Sequence, residues 1–141
     1  MAATDFLWTR FPISGADVPV KNTSGAAISA NQLVKLDSAN PASATQSAPG
    51  VVLTSAVADF PFAVAVENIP IGGQGRVQLE GIAVCIAAGA IAAAAIVGPS
   101  AATPGDVTTY TAANPSLGQG MTVAAALADP ILVRLAPSKN A

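Results

Sequence analysis

Turn-forming residues punctuate this chain at intervals too short for long helices, and that spacing bounds the fold it can adopt. They fall at Asn22 to Gly25, Asp37 to Pro41, Pro49-Gly50, Gly72 to Gly75, Gly98-Pro99, Pro104 to Asp106, Asn114 to Ser116 and Asp129-Pro130. Glycine, proline, asparagine and aspartate each supply backbone geometry that ends a regular element, so the segments between them are of strand length. The clearest strand is Arg76-Val77-Gln78-Leu79-Glu80, whose alternation sends Val77 and Leu79 to a buried face and Arg76, Gln78 and Glu80 to water. Beyond Gly81 the bulky residues are Ile82, Val84 and Ile86, with Ala83, Cys85 and Ala87 between them, so the bulky parity changes. A bulge or bend at Gly81 explains the change. Phe62/Val64/Val66 and Ile131/Val133/Leu135 alternate in the same way, the latter with Arg134 outward.

The expected fold is therefore all-β, a compact antiparallel β-sandwich or barrel. The run Ala87 to Val97 admits one short Ala-rich helix, since alanine is the strongest helix former, although Gly89 costs about 1 kcal/mol inside one. The same run aligns with an earlier segment that reads as non-helical. Gly25 to Val34 laid over Ala88 to Val97 matches Ile28 with Ile91, Leu33 with Ile96 and Val34 with Val97, all 63 positions apart. Val77-Gln78-Leu79 likewise resembles Val133-Arg134-Leu135. These matches hint at two related halves, each a turn, a strand, a variable loop and a returning pair of strands.

Residues 1–16 have a different character, with Asp5 to Pro12 carrying large aromatics and no sustained period of either kind. Pro12 and Pro19 bias the residues before them toward extended backbone, and Gly15 permits a bend. The organisation read from the sequence is an extended N-terminal arm (1–16), a β-rich body (17–136) and a polar tail (137–141).

Composition narrows the function. The 141 residues hold no histidine, one cysteine and only 14 charged side chains, so clustered acid–base or metal-binding chemistry has little to draw on. Cys85 lies between Val84 and Ile86 with no histidine to activate it and reads as a buried, inert thiol. Asp37, Asp106 and Asp129 stand in turns, where side-chain hydrogen bonds to backbone are the ordinary role. Asn22-Thr23-Ser24 and Gly72-Gly73-Gln74 read as turns. Six isolated cations and a net charge of −2 give no basic stripe for nucleic acid. The longest apolar stretch, Ile82 to Val97, is mostly alanine, broken by Gly89 and too short for a membrane span, and the first residues lack a signal-peptide pattern. No catalytic residue, cofactor or metal is expected.

What remains is surface. Phe6, Leu7, Trp8 and Phe11 would expose too much apolar area on a free terminus, since each aromatic ring buries about 150–250 Å² when docked. They dock either on the chain's own body or on a neighbour, with Arg10 pairing at the rim. These five residues are the candidate partner-binding site. A chain with 10% charged residues, where a quarter is usual, fits a surface covered by partners, with a soluble, Ser/Thr/Asn/Gln-coated monomer as the alternative.

The succession Ala27 to Asp37, Gly50-Val51-Val52, Gly75 to Gly81, Ala87 to Ile91 and Ala124 to Leu135 resembles tailed-bacteriophage capsid cement (head decoration) proteins over roughly residues 20–136. The long polar loop around Pro41 to Pro49 and the Trp-bearing arm depart from the family pattern. The resemblance implies a β-rich virion protein that binds the outer surface of an icosahedral capsid in many copies. It implies an oligomer, with a trimer favoured, an N-terminal arm that contacts the major capsid protein, and assembly in the host cytoplasm. The alternative from the residues is a self-assembling shell, tube or fibre subunit whose arm docks on an identical copy.

Overall fold

The computed structural model describes residues 17–39 and 48–138. The arm and the end of the tail lie outside the described residues. Ten strands are present: β1 (Asp17–Asn22), β2 (Leu33–Leu36), β3 (Gly50–Leu53), β4 (Ala63–Ala65), β5 (Gln74–Gln78), β6 (Gly81–Ile86), β7 (Ile96–Pro99), β8 (Val107–Thr109), β9 (Ser116–Gly120) and β10 (Pro130–Ser138). Among the described residues there is no helix.

The first five strands close into a barrel in the order β1-β3-β2-β4-β5, with β5 returning to β1. All pairs are antiparallel except β1 with β3. The last five form a sheet ordered β6-β10-β9-β7-β8. A parallel bridge between Ala87 and Val107 joins its two edges, and it stands where β1 meets β3 in the first barrel. The two orders are thus the same circuit, and the chain is an internal duplication.

The hydrogen bonds repeat with it. Asn22 N–H donates to Gly73 O at 2.9 Å, and Ala87 N–H donates to Asp129 O at 2.9 Å. Gly72 N–H reaches Asn22 O at 3.0 Å, and Ala128 N–H reaches Ala87 O at 2.8 Å. The bridge Ile28 to Ile69 recurs as Ile91 to Ala124. Even the left-handed backbone positions coincide, Asn31 with Ala94 and Gly72 with Ala128. The 63-residue offset suggested by Ile28 and Ile91 is therefore structural, and Val77 with Val133 belongs to the same repeat.

The alanine run forms no helix because tertiary pairing claims it. Ala87 closes the second circuit, Ile91 pairs with Ala124, and Ala94 turns left-handed to lead into β7. A helix there would leave the second core without Ala87 and Ile91, both buried. Two further expectations change. Gly98-Pro99 is the end of β7 and not a turn. Gln78 is 1% exposed, not outward to water, because the outer face of β5 meets the second half. Its Nε2 donates to Glu80 O at 2.8 Å and Ile82 O at 3.0 Å, holding the chain as it crosses between the halves. Gly81, with φ of 92°, makes the bend expected there.

Each barrel is filled by small side chains. The first encloses Val20, Ile28, Val34, Val51, Ala63, Ala65, Ile69 and Val77. In the second, the inward residues of β6 are Ala83 and Cys85, the small members of the alternation rather than Ile82 and Ile86. Paired positions exchange volume between the halves. Gly75 lies so close to Ile69 that a Cβ there would sit 2.5 Å from its Cγ1, and the equivalent second-half pair is Ile131 with Ala124. A large and a small residue have traded places with the total volume changed by only a methyl group, close to the volume-conserving exchange that cores tolerate best.

Leu33 and Val64 point out of the first barrel and join the second core. Gly105 completes the junction: Leu33 N–H donates to its carbonyl at 2.7 Å and its own N–H donates to Thr54 O at 2.9 Å. With φ of 83° and Gln32 Cβ and Leu53 Cδ2 each 3.0 Å from where a side chain would begin, only glycine fits there without strain.

One buried polar group distinguishes the halves. Asn22 donates from Nδ2 to Ala26 O at 2.8 Å and Ile69 O at 3.1 Å, and its Oδ1 accepts from Ser24 N–H and Oγ. The turn expected at Asn22-Thr23-Ser24 is present, with the Asn22 amide sealed inside it. The equivalent residue is Ala87, which needs no such partners. Asn22→Ala is expected to cost about 1–3 kcal/mol, because it strands the 22–26 turn without its acceptor. Chemical denaturation of the two chains checks this, with an unchanged midpoint counting against the role assigned to the amide.

Candidate interaction surface

The five residues read as the partner-binding site, Phe6, Leu7, Trp8, Arg10 and Phe11, lie outside the described residues. The structure fixes where that segment joins the body. Asp17 opens β1 opposite Gln78, beside the crossing between the halves, with its carboxylate 4.0 Å from Arg76 Nε.

The reactive side chains of the body serve the fold. Cys85 is fully buried in the second core, where loss of water pushes its thiol far above the usual range and the nearby Asp106 charge pushes further the same way. It remains a protonated, inaccessible thiol. Asp37 accepts from Ala39 N–H at 3.0 Å and from Thr23 Oγ1 at 2.6 Å. Asp129 accepts from Ala125 and Ala126 N–H at 2.9 and 3.0 Å. Both are turn residues, as the sequence indicates. Among the described residues, no three of His, Cys, Asp and Glu gather in a group that could hold a metal ion.

Asp59 and Asp106 feel opposite environments. Burial alone would raise the Asp59 carboxyl, but hydrogen bonds from Lys35 Nζ at 2.8 Å, Ser55 N–H at 2.7 Å and Ala56 N–H at 2.9 Å outweigh it. The net shift is downward. Asp106 is raised, chiefly by burial, with Thr103 opposing.

An open depression of about 530 Å³ lies over β7, β9 and β10, lined by Ile96, Tyr110, Gly118, Gln119, Arg134 and Ala136 among others. Gly118, which lines it, packs so closely on the Arg134 carbonyl that no Cβ would fit there. Gln119 stands between Arg134 and Ile96 in cross-strand register, and its Nε2 donates to Ala94 O at 3.0 Å. The exposed Arg134 has no described carboxylate within ion-pair distance. The groove is a mostly apolar surface with one cation at its side. The sequence gives Arg134 as outward-facing but offers no sign of the groove, whose walls come from three strands that only folding assembles.

No protein-family model matches the chain, and no curated protein matches it. Among solved structures, the chain is similar to the N base of head fiber gp8.5 of bacteriophage phi29. The TM-score is 0.64 and the identity 15%, over 89% of this chain and 99% of that one. The likeness is one of fold and takes in nearly the whole of both chains.

The sign of the Asp59 shift sets a pH dependence. A carboxyl held below its ordinary value stabilises the fold above that value, and the contribution disappears as pH falls through the folded value. Asp59→Asn is expected to unfold more readily at pH 7 and to approach the parent as pH falls below the ordinary carboxylate value and through the lowered folded one, a convergence that thermal melts across acid pH would reveal.

Proposed function

We propose that this chain is a virion structural protein that binds the outer surface of an icosahedral phage capsid and stabilises contacts between major capsid subunits. One observation carries the reading: its fold is shared, almost end to end, with the base of a phage head fiber. The body's own chemistry supports it. Cys85 is sealed in a core, and Asp37, Asp59 and Asp129 are spent on turns, so what the described body offers to the outside is shape. The chain acts as a scaffold and not as an enzyme.

In this reading the arm is the anchor. Phe6, Leu7, Trp8 and Phe11 bury apolar area on the major capsid protein while Arg10 pairs at the rim. The body stands outside as part of an oligomer, a trimer being favoured. Repetition over the capsid lattice turns individually weak contacts into avidity. If one state of the shell alone offers the site, binding stabilises that state by mass action.

A second reading, a fibre subunit whose arm docks on an identical copy, is favoured by the fibre to which the similar structure belongs. Cosedimentation with undecorated heads of the phage that encodes the chain separates the two. Under the capsid reading, full-length protein pellets with heads and a chain lacking residues 1–12 stays in the supernatant, still folded by circular dichroism. Undiminished pelleting of the truncated chain would take the arm out of the mechanism.

A further inference from the structure

The duplication supplies an internal control, because the same two loops occur twice on one backbone and differ in what they show to water. In the first half, the loops joined by the Ile28 to Ile69 bridge carry Ser29, Asn31, Glu67 and Asn68. Ala30 N–H is tied to Asn68 Oδ1 at 2.9 Å and Glu67 accepts from Arg76 N–H at 2.9 Å, so these positions are polar and hydrogen-bonded, although Ile71 in the neighbouring turn is 62% exposed. In the second half, the loops joined by the Ile91 to Ala124 bridge put Ala92, Ala94, Thr122 and Val123 in those places.

The result is a continuous uncharged surface. Val123 is 63% exposed, Leu127 59% and Met121 51%, and Ala90, Ala92, Ala93, Ala125 and Ala126 are exposed beside them. The antiparallel bridge sets Ala92 next to Val123 and Ala90 next to Ala125. The one acid nearby, Asp129, has a carboxylate oxygen turned back onto the Ala125 and Ala126 N–H groups. Alanine also occupies both left-handed positions, Ala94 and Ala128, where the first half has Asn31 and Gly72. Asparagine and glycine suit that conformation and alanine does not. The second half keeps the strained choice, and the common outcome of all these exchanges is a small, apolar surface.

We propose that this end of the second half, built from residues 90–94 and 121–128, is the surface through which copies of the chain bind one another. The patch offers no charge and few side-chain hydrogen-bonding groups, so it can recognise only a surface as uncharged and small-grained as itself. Another copy of the chain presents that surface in the same shape. Gathering the patch from each copy about one axis makes a closed, self-complementary contact. Its exposed side chains come to on the order of 500 Å² per copy, so two copies together bury about 1,000 Å², the size a specific interface must reach. The first-half end also exposes Ile71, but the hydrogen-bonded Asn68 and Glu67 interrupt its apolar surface, and it is left outside the contact.

This inference deepens the structural-protein reading by assigning its self-contact, and it is tested on the purified full-length chain with no capsid present, so failure here leaves capsid attachment to its own assay. Sedimentation velocity is run on the parent, on Val123→Asp, on Leu127→Asp, and on Ile71→Asp, which alters the equivalent first-half turn. All three substituted side chains are largely exposed, and circular dichroism checks the fold of each variant. The expected result is a discrete oligomer for the parent and for Ile71→Asp, with association at least tenfold weaker for Val123→Asp and Leu127→Asp. A second readout uses Val123→Cys, which should cross-link copies on oxidation while the buried Cys85 of the parent does not. A monomeric parent, an oligomer indifferent to charges at 123 and 127, or Val123→Cys chains that fail to cross-link would each overturn the proposal. A monomeric parent would leave a different protein, or the arm, as the occupant of the patch.

Discussion

The interior of a barrel narrows with its strand number, and five strands leave room only for small side chains. That constraint organises the whole molecule. It explains why the cores hold Ala63, Ala65, Ala83, Ala87 and Ala124, why the first core runs to valine, alanine and isoleucine, and why none of the described aromatics fills a barrel. Phe60 is exposed, and Phe62 and Tyr110 are half-buried at the edges. A core of this kind buries little area per residue, and a unit of about 60 residues is marginal alone. Joining two such units through Leu33, Val64 and Gly105 merges their apolar surface across the junction. The duplication is thus a way of reaching stability with barrels that cannot hold large side chains.

The same constraint decides what could be read from the sequence. Turn formers located most strand ends, and the alternation at Ile131, Val133 and Leu135 correctly placed Arg134 outside. The matched pairs Ile28 with Ile91 and Val77 with Val133 marked the repeat, because backbone pairing had kept those positions alike. Where the reading failed, it assumed that bulky means inward. On β4 and β6 the inward residues are the alanines and Cys85, while Val64 looks toward the other half. Gln78 escaped for a related reason, since alternation shows that two faces exist and not that a second barrel covers one of them. The alanine run carried a helical signal in its composition, which the bridges at Ala87 and Ile91 override.

Duplication also creates freedom. With Asn68 and Glu67 hydrogen-bonded in one half's loops, the other half's loops can change their outward chemistry without changing the backbone. The groove over β7, β9 and β10 and the apolar end at residues 121–128 both belong to the second half. Neither was visible in the linear sequence, because each is assembled from separate strands or from loops that only pairing brings together. The arm remains the one candidate that the sequence itself announces, through its concentration of aromatic residues.

If the proposed function holds, the chain is part of a phage virion, and cryo-electron microscopy of such virions tests this account most directly. It predicts paired small barrels on the outside of the head, with the segment before Asp17 running into the major capsid protein. Virions in which no such density is found, and from which the chain is missing by mass spectrometry, would contradict it.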